Sequence, residues 1–154
     1  MERKLNPAHV EAVCRYVSNS PYFKLLSMEL RDMGFGWAVV TLNVLEKHLQ
    51  AFGFVHGGLC ASVIDTAAFW SAYCELDEDV GITTTDLKVN YLSPFKSGVL
   101  TVRGHCIKMG KTLGLTEATI NDERGRIISH GTSTLVVLPG HGLAGSPDLP
   151  PKFL

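Results

Sequence analysis

Residues His56 to Leu76, HGGLCASVIDTAAFWSAYCEL, constrain the fold more than any other stretch of the chain. From Leu59 to Cys74 only Ser62, Asp65, Thr66 and Ser71 interrupt an apolar run. A helix apolar on every side must be covered around most of its circumference, either by lipid or by the rest of a folded protein. The carboxylate in its middle, the His-Gly-Gly before it and the acidic ELDED after it favour protein over membrane. Burying an unpaired charge is costly, so Asp65 calls for a partner or a purpose.

Composition agrees with one soluble domain. The 154 residues are 45% hydrophobic with a formal net charge of −1, enough chain for a proper core. That balance carries no electrostatic footprint for nucleic acid or for an anionic membrane surface. The opening MERKLNPAHVEAV has no continuous apolar segment, so no signal peptide is expected. Four cysteines, Cys14, Cys60, Cys74 and Cys106, form no C-x-x-C pair. They suggest neither zinc site nor disulfide framework and fit a reducing, cytoplasmic location. His48 and His56 lack ligand spacing with any acid or thiol, so no metal is expected.

Taken in order, residues 6–19 predict a helix: Asn6 can cap it, Pro7 suits its first turn, and Val10, Val13, Cys14 and Val17 form one stripe. Ser20-Pro21 is expected to end it. Leu25 to Asn43 predicts a β-hairpin turning at Gly34 and Gly36, and LEKHLQAFGFV a loop into the central helix. Four strands are expected after that helix, at 82–92, 99–108, 112–122 and 126–138, joined by short antiparallel connections. The expected domain spans 1–140, and the Gly/Pro-rich tail 141–154 reads as extended or poorly ordered. The fold class is α+β, with a curved antiparallel sheet of about six strands wrapped around one long helix, plus the additional N-terminal helix.

Two places can carry chemistry. On a helix starting near Gly57, the residues Gly58, Ser62, Asp65 and Thr66 share one face. They are either a surface stripe of mutually satisfied groups or the surroundings of a working carboxylate; apolar burial makes a carboxylate a better base. His56-Gly57-Gly58 lets a ligand approach the helix start, where free N–H groups carry partial positive charge and can act as an oxyanion hole. Taken separately, Gly-Gly reads equally as a flexible helix entry, and a lone His is more often a structural one. Phe69, Trp70 and Tyr73 read as core aromatics first and as acyl-pocket lining second.

The pattern H-G-G-x(6)-D, in this order of elements, resembles the hotdog-fold acyl-CoA thioesterases, in their phenylacetate-pathway-like (PaaI-like) branch. ITTTDLKVNYLSPFKSG and KMGKTLGLTEATINDERGRIISHGTSTLVV resemble two further segments of that family, so the resemblance covers Leu25 to Leu138. It implies hydrolysis of acyl-CoA to free acid and CoA, with CoA as part of the substrate and no other cofactor. It implies Asp65 as general base or nucleophile, and the Gly57 N–H as the donor to the thioester carbonyl. His56 belongs to the same motif. Gln50 is implied as a holder of water or carbonyl, and Thr84 as the strand hydroxyl opposite the acid. Tyr91 and the loop Lys108, Met109, Gly110, Lys111 and Thr112 fall where the family contacts CoA, whose phosphates suit cationic and backbone donors. In the family, acid and glycine donor come from different subunits, which implies a homodimer and commonly a dimer of dimers, a homotetramer. The bulky Phe54 narrows the acyl pocket or its entrance in this comparison, and Asp86 reads as structural. Two other functions stand beside hydrolysis: a non-catalytic acyl-CoA-binding or sensing domain, and an enoyl-CoA hydratase or dehydratase.

Overall fold

A computed structural model describes residues 3–143 and 148–154. The elements run α1 (Pro7–Ser18), α2 (Pro21–Leu26), β1 (Met28–Gly34), β2 (Trp37–Val44), a 3-10 turn (Glu46–His48), α3 (Gly57–Tyr73), β3 (Val80–Tyr91), β4 (Gly98–Met109), β5 (Leu113–Asn121) and β6 (Ile127–Pro139). The strands form one six-stranded sheet in the order β1-β2-β4-β5-β6-β3, and every pairing is antiparallel. The sheet wraps α3, which packs against all six strands. This is the hotdog architecture.

The near-continuous apolarity of α3 is satisfied by that wrapping: Leu59, Val63, Ile64, Ala67, Ala68, Trp70 and Ala72 are all buried. Close approach depends on small residues at the crossing. A Cβ on Gly104 of β4 would stand 1.9 Å from the Ala67 carbonyl oxygen, so the helix backbone lies directly on the sheet there. Beneath it, Val40, Leu42, Leu100, Val102, Ala118 and Ile120 line the inner face. No helix among the described residues is long and apolar enough to cross a membrane.

The two sheet edges are treated differently. Helix α1 packs on β1, with Val13 and Val17 facing the core. Among the described residues nothing pairs with the outer edge of β3, a twelve-residue strand. A long free edge is a row of unpaired backbone donors and acceptors.

The structure corrects one expectation and refines another. Ser20-Pro21 ends α1 but also begins α2, because proline at the first helical position suits the fixed φ it brings. The stretch Leu25–Ser27, expected to begin the first strand, instead completes that short helix; Ser27 adopts a left-handed backbone, φ 55°, and β1 starts at Met28. The tail expectation falls partly on residues 144–147, outside the described residues. Residues 148–154 return to the molecule: Leu5 bridges Phe153, the Asn6 N–H donates to the Lys152 carbonyl at 2.9 Å and Leu154 N–H to the Lys4 carbonyl at 2.9 Å.

Candidate active site

Helix α3 begins at Gly57 with His56 as its N-cap. The His56 Nδ1 accepts the Gly58 N–H at 2.8 Å. This occupies one of the unpaired N–H groups of the first turn; among the described residues no hydrogen bond engages that of Gly57, at the first helical position. His56 therefore acts on the helix start, and its lone pair at Nδ1 is engaged in doing so. The loop before it is pinned by His48, whose Nδ1 accepts the Leu45 N–H at 2.9 Å and whose Nε2 meets the Leu26 carbonyl at 2.7 Å. Burial, reinforced by Lys47 nearby, holds the His48 pKa below the ordinary imidazole value despite the Leu26 carbonyl.

Beside Gly57 lies a cavity of about 340 Å³ lined by Gln50, Phe54, Val55, Cys60, Tyr91 and Phe95 among others. The Tyr91 ring covers Gly57 so closely that an added Cβ would meet it at 3.1 Å. The Gln50 Oε1 accepts the Phe52 N–H, which turns the loop and leaves the amide nitrogen as donor. Phe54 forms one wall, with the Lys96 ammonium 4.8 Å from its ring centroid.

Asp65 is not in that cavity. It is half-buried on α3, and its Oδ1 accepts the Thr84 hydroxyl at 2.8 Å. That bond fixes the carboxylate, and among the described residues no hydrogen bond engages Oδ2. Thr84 reaches the acid because of a β-bulge. The register of β3 on β6 shifts between Thr84 and Asp86, so Thr84 pairs with Leu135 and Leu87 with Ser133. Without the extra residue, Thr84 and Leu87 would face opposite sides of the sheet. Bulges re-aim side chains in this way beside functional sites.

The sequence-predicted residues thus fall into two groups within the chain. Gln50, His56, Gly57 and Tyr91 gather at one end of β3. Asp65 and Thr84 lie toward the other, eight helical residues from Gly57, or about 12 Å along the axis. The loop from Lys108 to Thr112 belongs with the second group: Leu113 pairs with Val136 and Gly114 with Leu135, the partner of Thr84, whereas Tyr91 pairs with Ser129. Six residues of β6 separate Ser129 from Leu135, roughly 20 Å of strand. Tyr91 and the cationic loop, expected to contact one CoA, are therefore far apart in a single chain.

The polar stripe is real but differently used along its length. Thr66 donates back to the Ser62 carbonyl at 2.7 Å, and the Ser62 hydroxyl meets the Tyr22 hydroxyl at 2.6 Å. Tyr22 had no signal in the sequence, because its short helix lies where a helix end and a strand were expected. The thiols of Cys14, Cys60 and Cys74 are pushed up to about 11 chiefly by burial, which suits packing rather than nucleophilic roles. Among the described residues no group of three or more His, Cys, Asp or Glu side chains could hold a metal ion.

Residues 52–129 match the thioesterase superfamily. Human acyl-coenzyme A thioesterase 13 is 32% identical over 101 residues, covering 64% of this chain and 71% of that protein. A crystal structure of a thioesterase from Haemophilus influenzae superposes with a TM-score of 0.78 at 26% identity, over 84% of this chain and 90% of its own. The E. coli PaaI protein from the phenylacetic acid degradation operon shares the fold, with a TM-score of 0.80 at 20% identity over 91% of this chain and 100% of its own. With the wrapped helix, its His-Gly-Gly start and its buttressed acid, these likenesses place the chain: it belongs to the thioesterase superfamily.

Proposed function

We propose that this chain hydrolyses acyl-CoA thioesters as a homodimer, each site being built from both subunits. The observation that carries this is the separation of the two groups of site residues along β3. A thioester carbon must lie within about 3.5 Å of its attacking atom, which no single chain offers to Gly57 and Asp65 together. Antiparallel pairing of two free β3 edges brings the Tyr91 end of one strand beside the Thr84 end of the other. It also satisfies the unpaired edge and unites Tyr91 with the partner's Lys108–Thr112 loop.

In that arrangement the Gly57 N–H, at the positive end of the helix, receives the thioester carbonyl oxygen and the negative charge that develops on it. Asp65 of the partner subunit, held through Oδ1 by Thr84, presents Oδ2 either to a water, as general base, or directly to the carbonyl carbon. The Gln50 amide nitrogen is placed to hold that water or the carbonyl. Lys108 and Lys111 offer cations to the CoA phosphates. As general base, Asp65 takes a proton from the attacking water and returns it to the leaving sulfur; as nucleophile, it forms a mixed anhydride that a water then hydrolyses, supplying the thiol's proton. Either way the acyl–oxygen bond forms, the carbon–sulfur bond breaks, and free acid and CoA thiol leave.

The decisive experiment mixes two variants. Asp65→Asn and Gly57→Pro should each release little CoA thiol from acyl-CoA, whereas heterodimers formed from the two carry one intact site. Random reassociation should recover about a quarter of wild-type activity. Recovery of none would overturn the shared site. Wild-type protein that binds acyl-CoA without releasing thiol would instead be a sensor, and water addition to an enoyl-CoA would make it a hydratase.

A further inference from the structure

Among the described residues four serine or threonine side chains are buried: Ser71, Thr116, Ser129 and Ser133. Three of them donate to a backbone carbonyl: Ser71 to Ala68 at 2.6 Å, Thr116 to Ser133 at 3.3 Å and Ser129 to Asn90 at 2.7 Å. Ser133 does not. It is 1% exposed, and among the described residues its Oγ is the one buried side-chain nitrogen or oxygen without a hydrogen-bond partner. Leaving a buried hydroxyl unpaired is costly, and an alanine would fill the same place on the sheet without that cost.

The place of Ser133 in the sheet puts it behind Asp65. Along β6 it stands between Gly131 and Leu135, and the three share the inner face. Helix α3 touches the strand pair on either side of it. A Cβ on Gly131 would meet the Ile64 Cγ2 at 2.8 Å, and Leu135 pairs with Thr84, whose hydroxyl holds the Asp65 Oδ1. Ser133 is thus the diagonal neighbour of Thr84 across the two strands, about 7–8 Å away between backbones. With both side chains reaching inward, one water making two hydrogen bonds spans what is left. We infer that Ser133 is a positioning residue for Asp65: through one bridging water its hydroxyl holds a lone pair of Oδ2, as Thr84 holds Oδ1. A carboxylate oxygen accepts at two lone pairs. Because β6 lies one strand in from the edge strand β3, Ser133 approaches from the core and leaves the other Oδ2 lone pair turned toward the partner subunit. Two holds in place of one stop the carboxylate rotating about its Cβ–Cγ bond. The inference rests on the hydrolysis proposed above and serves Asp65 equally as base or as nucleophile.

The test is a double-mutant cycle on the full chain: wild type, Ser133→Ala, Asp65→Asn and the two changes together. Thiol release from acyl-CoA is read at steady state, and in single turnover with enzyme in excess for the Asp65→Asn proteins, alongside thermal unfolding. Ser133→Ala breaks no hydrogen bond within the chain, so its unfolding midpoint should stay close to that of wild type. Its kcat should fall about tenfold, below the roughly hundredfold that a misplaced reacting group can cost, with KM within about twofold. In the Asp65→Asn background the same change should cost nothing further, because the group it positions is gone. A merely structural role would lower the midpoint and cost the same factor in both backgrounds, and that result would overturn the inference. Full kcat in Ser133→Ala would also overturn it, while a loss in Asp65→Asn leaves hydrolysis standing. A wild type that releases no thiol from any acyl-CoA would remove the hydrolysis itself, and the positioning of Asp65 with it.

Discussion

At its first turn α3 leaves the Gly57 N–H uncapped beside an open cavity, and half its length further on it holds an acid with a free oxygen. Its last turn is tied down by both ends of the chain. The Tyr73 hydroxyl meets the His9 Nε2 at 3.0 Å, and the other ring nitrogen of His9 meets the Pro150 carbonyl at 2.6 Å. The Lys152 ammonium donates to the Leu76 carbonyl at 2.8 Å and lies 3.9 Å from the Tyr73 ring centroid. Arg3 donates to the Glu75 carbonyl at 3.0 Å. Both cations meet the negative end of the helix, as its dipole favours. One end keeps donors free for a substrate; the other spends side chains from both termini of the chain on closing carbonyls. The lesson is that one helix can be rigid enough to aim a reacting group because its far end is held by residues that never approach the substrate.

If that division is right, changes in the first half should act on rate and changes at the tied-down end on stability. The largest effect is expected for Asp65→Asn, a loss of roughly three orders of magnitude in kcat with the unfolding midpoint little moved. Steady-state thiol release alongside thermal unfolding checks both parts; full activity would remove Asp65 from the chemistry. Next comes Gly57→Pro against Gly57→Ala. Proline suits the first helical position, and His56 already has the extended conformation, ψ 136°, that precedes proline comfortably. Both variants add a Cβ near the Tyr91 ring, but only proline removes the N–H. A loss of about a hundredfold or more for proline, with less than about tenfold for alanine, identifies the N–H as the donor. Equal losses would mean that crowding of Tyr91 is responsible.

The contrast also explains what the sequence could reveal. The apolar run with a single acid announced a wrapped helix, and Gly-Gly before it announced a bare helix start, since both signals are local in the chain. The alternating strands were legible for the same reason. The bulge that turns Thr84 toward Asp65 was not, because it depends on pairing with β6. Nor was α2, where Pro21 can mean either a stop or a start and only packing decides. Lys152 was the least legible. A lysine in a Gly/Pro-rich tail, its ammonium five bonds from Cα, reads as solvated, and its burial depends on Leu76 and Tyr73, more than seventy residues away in the chain. Spacing likewise shows only that Gly57 and Asp65 share a helix; that they serve different sites is an expectation from the family resemblance, not from the pattern itself.

At the tied-down end, Lys152→Ala should lower unfolding free energy by about 2–3 kcal/mol, through the space left beside Tyr73 and the unpaired Leu76 carbonyl. Chemical denaturation measures this, and kcat at 25 °C should be unchanged because the residue lies beyond the chemistry. A drop in kcat comparable to that of Gly57→Pro would dissolve the distinction between the two ends.

The smallest and sharpest effect is a pH dependence confined to that end. Burial pulls the Lys152 pKa down from 10.5 to about 8, with Arg3 adding to the depression and the acidic neighbours opposing it. Between about pH 8 and 10.5 the unfolded chain holds this proton while the folded chain has released it, so this group's contribution to stability rises with pH and is lost as pH falls through 8. The buried thiols act in the opposite sense: raised from 9.0 to about 11, they favour the fold below pH 9 and withdraw that support as pH climbs toward 11. Comparing wild type with Lys152→Met cancels Cys14 and Cys60; because Lys152 and Cys74 act on each other, both proteins carry Cys74→Ala so that the lysine alone is read. From pH 8 to 9 the difference in unfolding free energy should move by about 1 kcal/mol in favour of the protein that keeps Lys152. A flat difference would mean that Lys152 keeps an ordinary pKa and therefore stays in contact with water. The end of α3 would then be open after all, and its contrast with the Gly57 end would lie in the residues present rather than in access to solvent.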